Sequence, residues 1–151
     1  MVFGTSAAAA AVSKQLGLSP RQIEDDFGTA STQSCGLMSA QFEAMTKGLQ
    51  HGLASRNALF AALLARDNCT GIDQVFEREY GGVLNVFSQD TSQKPQNKPD
   101  ELSQRLGEDW SSLLNISIKP YASVVGTHGP IDCIVNLQAK DLERFSSDKL
   151  D

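Results

Sequence analysis

An apolar segment near the middle of the chain is the feature that most constrains the fold. Residues 58–65 read ALFAALLA and contain no polar side chain. With the residues before them they predict a helix from about His51 to Arg66 that is apolar on almost every side. A surface helix has one polar face, whereas a helix that is apolar all round is buried among several neighbours. The segment therefore predicts a helical core that needs more neighbours than this short chain provides.

Local signals elsewhere also favour helices. An alanine-rich helix is predicted over residues 1–14, and Gly17 ends it. Ser19, Pro20 and Gln22 then form the pattern of an N-cap, a proline in the first helical turn and a capping box, which predicts a second helix. Three further helices are predicted, over residues 33–45, over residues 70–80, where Gly81 and Gly82 interrupt the helix, and over residues 127–137.

A polar segment divides the chain. Residues 88–100 read SQDTSQKPQNKPD, contain two prolines and no aliphatic side chain, and are typical of a linker or a long surface loop. Beyond them, residues 113–119 alternate apolar and polar side chains, which predicts a strand that Pro120 limits to an edge or an end. The sequence thus predicts a mainly α protein, with a helical region over 1–87 and the start of an incomplete, smaller α+β domain over 101–151.

Composition argues against several classes of function. The net charge is -5 and the 13 lysines and arginines are scattered, so nucleic acid is not expected as the main partner. The three cysteines lie far apart without a CxxC spacing, so neither a metal site nor a disulfide framework is expected. No apolar run approaches the length of a membrane span, and the opening alanines lack the basic segment of a signal peptide. We therefore expect a cytoplasmic protein without a membrane partner.

Titratable side chains gather in two places. A lysine suits the binding of a carboxylate and a histidine with a near-neutral pKa suits proton transfer, so each cluster suits a polycarboxylate substrate. The residues alone leave a second interpretation open, in which the lysines are solvated and the histidines are packing or capping residues. The first cluster, in the segment TKGLQHGLASRN, is Lys47, Gln50, His51 and Arg56, and the second is Lys119, Tyr121, Thr127 and His128.

Three segments, taken in order, resemble the MmgE/PrpD family, which includes 2-methylcitrate dehydratase and cis-aconitate decarboxylase. The first, over residues 3–41, resembles the family's alanine-rich helix, its leucine-glycine-leucine turn and its glycine-x-alanine-x-x-glutamine segment. The second is TKGLQHGLASRNALFAALLARDNCTGIDQVFEREYGGVLNVFS, which begins at Thr46. The third, IKPYASVVGTHGPIDCIVNL, has the lysine-x-tyrosine and threonine-histidine-x-x-x-aspartate pattern that opens the family's smaller domain.

The resemblance implies a large all-helical domain, a smaller α+β domain and an active site in the cleft between them. Members work without a metal or an organic cofactor, usually as homodimers, and they remove water or carbon dioxide from small di- or tricarboxylates or epimerise a carbon. We expect this chain to be a fragment of such a lyase, with the activity of the chain alone left open. The alternative is an inactive truncated paralogue or a remnant that only interacts with a partner.

Carried over residue by residue, the resemblance makes Lys47 and Lys119 the substrate-binding lysines and His51 and His128 the catalytic histidines. Many members have histidine followed by proline at the positions of Gln50 and His51, whereas a fungal-looking branch shares the glutamine-histidine order.

A second departure concerns the type of reaction. Members with decarboxylase activity tend to carry an extra histidine between the lysine and the threonine-histidine pair. Residues 123–125 read SVV here and contain no histidine. This departure favours a dehydratase or an uncharacterised lyase over a decarboxylase.

Overall fold

The structure is a computed structural model that describes residues 2–89, 92–142 and 144. The described residues contain helices and no strand, which confirms the mainly α prediction. None of these helices is long and apolar enough to cross a membrane. The chain divides into two compact units, residues 1–104 and residues 105–151. The α-helices are α1 (Val2–Leu16), α2 (Pro20–Ser31), α3 (Ala40–Glu43), α4 (Thr46–Arg66), α5 (Val83–Phe87), α6 (Ser111–Leu114) and α7 (His128–Lys140).

The first unit is built on α1, α2 and α4, which pack against one another in pairs. Small side chains let helix axes approach closely, and here they fill the centre of the packing. The large side chains of α4 lie elsewhere, since Leu59 is 48% exposed and Phe60 is 55% exposed. The helix that the sequence predicts to be apolar all round therefore buries its alanines, while its leucines and phenylalanine are exposed or half-buried. The fully buried alanines of the central cluster are Ala9, Ala30, Ala58 and Ala61.

The predicted ends of the first two helices are confirmed. After α1 the chain turns at Gly17, whose φ of 63° lies in the left-handed region that glycine adopts without steric cost. Ser19 caps α2, because its hydroxyl accepts from the Gln22 amide while the Gln22 side chain accepts from the Ser19 amide. Two of the unpaired amides that begin every helix are thereby satisfied.

The helix predicted over residues 70–80 is wrong, because residues 73–77 and 79–80 form turns and residues 71–72 lie against α2. The two backbones are in close contact: a Cβ on Gly28 would lie 2.1 Å from the Ile72 nitrogen, and one on Gly71 would lie 2.1 Å from the Asp25 carbonyl oxygen. The Asp25 carboxylate also accepts a hydrogen bond from the Gly71 amide at 2.9 Å. Contact with α2 therefore fixes this segment in a turn.

Two other helix predictions need correction at their boundaries. The helix predicted over residues 33–45 is reduced to the single turn of α3. Its apolar side chains lack a surface to pack against, since Leu37 is 74% exposed and Phe42 is 79% exposed, and short helices without packing are marginal. The helix predicted from His51 begins one turn earlier, at Thr46.

The regular structure of the second unit is helical within the described residues, and turns, bends and irregular segments make up the rest. Helix α7 confirms the helix predicted over residues 127–137 and extends it to Lys140. The strand predicted over residues 113–119 is wrong: its first residues belong to α6, and residues 116–119 have no regular structure. A strand needs a partner for its backbone hydrogen bonds, and none lies in the described ranges. The start of an α+β domain is therefore not seen there.

The predicted polar segment carries no α-helix in its described part. Residues 93–96 form bends, and a single 3₁₀ turn follows over Pro99–Glu101. Residues 90 and 91 of the predicted linker lie outside the described residues, as do residues 143 and 145–151 of the predicted second domain. The boundaries at residues 87 and 101 stay predictions.

Candidate functional site

Three residues of the first predicted cluster, Lys47, Gln50 and His51, lie on the first two turns of α4. Lys47 and His51 are four residues apart on this helix, so their side chains lie on the same face. Both are exposed, and both line one cleft of about 300 Å3 together with Gln50. The structure therefore brings together the lysine and the histidine that the sequence predicts for this part of the site.

The facing wall of this cleft comes from the segment between α2 and α3. Gly36, Leu37 and Met38 line it, together with Val2 and Gln41. One wall thus carries a lysine and a histidine, and the other is mainly apolar, with Gln41 as its polar side chain. No carboxylate is among the residues that line this cleft. The arrangement suits an anion whose charged end meets Lys47 and whose hydrocarbon part lies against the apolar wall.

Arg56 does not join this pair. It lies further along α4 and donates two hydrogen bonds to the side-chain oxygen of Asn57, from Nε at 3.2 Å and from Nη2 at 2.8 Å. It lines a neighbouring cavity of about 180 Å3 that also includes Cys35 and Gln50. Its charge is therefore already directed at an amide beside it.

The second predicted cluster lies in the second unit. Lys119 is exposed and donates from Nζ to the backbone carbonyl of Ser123 at 2.9 Å. His128 begins α7, and its ring meets that of Tyr121 edge to face, with centroids 5.3 Å apart and planes at 81°. The Tyr121 hydroxyl donates to Asp132 at 2.5 Å, which raises the pKa of Tyr121. No hydrogen bond joins Lys119 to His128 in the described residues.

The His128 ring has one nitrogen in a buried position. Its Nε2 atom is buried and has no hydrogen-bond partner within the part of the chain that the structure describes. Sequence reasoning missed Asp132 as the partner that holds Tyr121 beside this ring. The signal was present, because His128 and Asp132 are four residues apart and so share one face of a helix.

A buried carboxylate on α2 was also missed. Asp26 is fully buried, accepts a hydrogen bond from the Ser13 hydroxyl of α1, and leaves its Oδ1 atom without a partner in the described structure. Burial raises the pKa of Asp26, and the bond from Ser13 opposes this rise. Asp26 does not line the Lys47 cleft, so its effect is on the packing of α1 against α2.

Metal ligands are not assembled in the described part of the chain. No group of three or more histidine, cysteine, aspartate or glutamate side chains there could hold a metal ion. The three cysteines are free and exposed. The candidate sites therefore consist of lysine, histidine, tyrosine and amide groups.

Comparison with known proteins gives consistent matches. A family model described as the MmgE/PrpD N-terminal domain matches residues 1–96. A cis-aconitate decarboxylase-like protein of Aspergillus oryzae is 50% identical over 149 residues, which are 99% of this chain and 31% of that protein. Two cis-aconitate decarboxylases of Aspergillus terreus are 44% and 43% identical over 139 residues, which are 92% of this chain and 28% of each relative. The chain spans less than a third of the length of these curated relatives.

Proposed function

Because the chain belongs to the MmgE/PrpD family, we propose that it forms part of the substrate site of a lyase acting on a small di- or tricarboxylate. The observation that carries this proposal is the cleft that Lys47 and His51 line together on α4. We propose that the reaction uses no metal and no organic cofactor. The names of the relatives support cis-aconitate as the first substrate to test, and the motifs support 2-methylcitrate as the second.

The proposed roles follow from the chemistry of elimination beside a carboxylate. Lys47 holds a substrate carboxylate, and its positive charge stabilises the negative charge that develops in the transition state. In decarboxylation the bond between carbon and the leaving carboxylate breaks, the electron pair stays on that carbon, and the carbon then takes a proton. In dehydration a base removes a proton beside a carboxylate and the hydroxyl group leaves as water. His51 is the proposed proton carrier in both reactions.

The choice between the two reactions rests on opposing observations. The absence of a histidine from residues 123–125 favours dehydration. The three relatives named above are called decarboxylases or decarboxylase-like, and they favour the loss of carbon dioxide. We give decarboxylation of cis-aconitate precedence, because identity of about half over nearly the whole chain outweighs a single position.

The second unit contributes a second proposed pair. Lys119 is a substrate anchor in this proposal, and His128 lines the site or orients a neighbouring group. The support is the third sequence motif and the contact of His128 with Tyr121. A cytoplasmic location, a homodimeric assembly, and the lack of nucleic-acid and membrane partners belong to the same proposal. The acidic composition and the family membership support it.

A turnover assay tests the enzymatic proposal. The purified chain is incubated with cis-aconitate or with 2-methylcitrate, and product formation is followed by proton NMR, beside the variants Lys47→Ala and Lys14→Ala. Lys14 is an exposed lysine on α1 that does not line the cleft, so it controls for the loss of a positive charge. We expect the rate to fall at least about tenfold in Lys47→Ala and to stay unchanged in Lys14→Ala. An undiminished rate in Lys47→Ala would contradict the proposal.

A non-catalytic role is the second candidate, and the exposed apolar side chains beside the cleft favour it. Phe42 is 79% exposed and Met45 is 98% exposed, which is more typical of a surface that another chain covers than of a free one. If the folded chain neither binds nor converts either acid, the enzymatic proposal fails and this second role is favoured.

A further inference from the structure

The wall of the cleft that faces Lys47 and His51 is a segment with few bonds of its own. Between α2 and α3, none of the backbone amides of residues 35–39 donates a hydrogen bond within the described residues. Leu37 and Met38, which line the cleft, are each 74% exposed. The packing of this segment is therefore too sparse to fix its distance from α4.

Two side-chain amides of α4 donate hydrogen bonds to backbone carbonyls in the chain between α2 and α3. Gln50 donates from Nε2 to the backbone carbonyl of Leu37 at 2.9 Å. Asn57 donates from Nδ2 to the backbone carbonyl of Gln33 at 3.3 Å. The two amides are seven residues apart, about two turns, and so project from the same side of α4. The Leu37 carbonyl also accepts from the Ala40 amide, but that bond is longer, at 3.3 Å.

Gln50 is the tether that lies at the cleft itself. It is half-buried and falls between Lys47 and His51 on the same two turns of α4. Its side chain lines this cleft and the two cavities next to it, one of which extends to Ala40 and Leu53. The same residue thus contacts the wall that carries Lys47 and the wall that carries Leu37.

We propose that Gln50 is a positioning residue: its side-chain amide holds the Leu37 carbonyl and so sets the apolar wall at a fixed distance from Lys47 and His51. This inference rests on the proposed function for the identity of the ligand. The order of Gln50 and His51 then has a physical meaning, because the glutamine holds the loop while the histidine beside it is left to move a proton. A ligand that needs both walls binds well only when their separation is fixed in advance.

The tether can be tested without any ligand. Gln50→Met keeps the length of the side chain and removes its donor, and Gln15→Met makes the same change at an exposed position on α1. Backbone order parameters of residues 36–38 are measured by ¹⁵N relaxation. We expect values near the rigid range, about 0.85, in the unmodified chain and in Gln15→Met, and values below about 0.6 in Gln50→Met. Equal order parameters in all three proteins would overturn the tether.

The positioning role is tested by titrating the same three proteins with cis-aconitate, followed by NMR. Loss of one hydrogen bond predicts an affinity about fivefold weaker in Gln50→Met, with the thermal unfolding midpoint unchanged. A mobile loop with undiminished affinity would show that the tether does not position the site. If the unmodified chain binds neither cis-aconitate nor 2-methylcitrate, the proposed function and the positioning role both fail, and the relaxation measurement still decides whether the tether exists.

A second variant guards against loss of folding. Gln50→Ala removes the amide and leaves only a methyl group in its place. Circular dichroism reports whether each variant keeps its helices. If both variants unfold, the tether is measured in the unmodified chain, where the side-chain amide protons of Gln50 must exchange more slowly than those of the exposed Gln15. Equal exchange of the two amides would overturn the proposal.

Discussion

The packing of α1, α2 and α4 and the region from residue 105 to residue 142 are stabilised in different ways. In the three-helix packing, a cluster of alanines is fully buried and a buried carboxylate of α2 accepts a hydrogen bond from α1. In the later region no described residue is buried, and the helix α7 is the longest element. Lys47 and His51 therefore lie on a helix whose later turns, from Ala54 onward, are packed, whereas Lys119 and His128 depend on local bonds such as that between Tyr121 and Asp132.

The contrast shows which interactions place a functional side chain. Close packing of small residues fixes the axis of α4 and thereby the directions of the side chains on its exposed face. A helix with no buried face is held mainly by its own backbone bonds, which are marginal in short helices. Substitutions of the same kind at a packed position and at an unpacked one measure each effect against a matched control.

The largest difference is expected from adding volume. Ala61 is fully buried in the three-helix core, and Ala61→Leu should lower the free energy of unfolding by about 3 kcal/mol, because the close-packed helices must separate. Ala139 is exposed on α7, so Ala139→Leu should change it by less than about 0.5 kcal/mol. Urea unfolding followed by circular dichroism measures both. Similar effects at the two positions would mean that the alanine core is not close-packed.

A smaller difference is expected from adding one methyl group. A Cβ at Gly28 would lie 2.1 Å from the backbone of Ile72, so Gly28→Ala should destabilise the chain by about 2 kcal/mol. Gly129 lies in α7 with no atom within 4 Å of a built Cβ, and Gly129→Ala should stabilise that helix by up to about 1 kcal/mol. Thermal melts of the two variants check the signs. A neutral Gly28→Ala would rule out the close contact between α2 and residues 71–72.

Loss of the N-cap of α2 should lower the free energy of unfolding by about half as much as Gly28→Ala does. Ser19→Ala removes the acceptor for the Gln22 amide and should cost about 1 kcal/mol. Ser39 occupies the same position before α3 but makes no side-chain capping bond, so Ser39→Ala should be close to neutral. Both are read from the midpoint of urea unfolding. A cost at Ser39 equal to that at Ser19 would contradict the assigned caps.

The smallest effect is a dependence on pH that differs in sign between the two regions. Burial raises the pKa of Asp26, so the folded chain binds this proton more tightly than the unfolded chain does. Its contribution to stability is therefore fully present below the ordinary aspartate pKa and is lost as the pH rises through the raised pKa. Hydrogen bonds from Ser111 lower the pKa of Asp109, so its contribution is present above the ordinary pKa and is lost as the pH falls.

Asparagine substitutions separate the two contributions. Asp26→Asn should flatten the fall in stability with rising pH, and Asp109→Asn should flatten the fall with decreasing pH. Urea unfolding midpoints measured between about pH 3 and pH 8 give both slopes. An unchanged slope in Asp26→Asn would show that this carboxyl group titrates as an exposed one does.

The elements that the sequence predicts correctly are those with local signals. The left-handed glycine after α1, the capping box of α2, the continuous apolar run of α4 and the spaced apolar residues of α7 are each signals carried by the segment itself. The elements that it predicts wrongly depend on distant partners. Residues 70–80 form no helix because α2 lies against residues 71–72, and residues 113–119 form no strand because the described residues provide no second strand. Neither partner can be read from the segment itself.

The candidate site also combines features that local sequence indicates with features that depend on distant residues. The sequence predicts this helix only from His51, so it does not place Lys47 on it; α4 begins at Thr46, and Lys47 and His51 line one cleft. The bond from Gln50 to Leu37 could not be predicted, because its acceptor is a backbone carbonyl in an irregular segment 13 residues earlier. The motif resemblance to the MmgE/PrpD family is confirmed by the family match over residues 1–96.

The exposed face of the first two turns of α4 is proposed to present Lys47 and His51 to a polycarboxylate. An NMR titration of the ¹⁵N-labelled chain with cis-aconitate tests it most directly. The account predicts shift changes at residues 36–38 and 47–51 that disappear in Lys47→Ala and persist in Lys14→Ala. Shift changes that fall elsewhere, or that survive in Lys47→Ala, would contradict it.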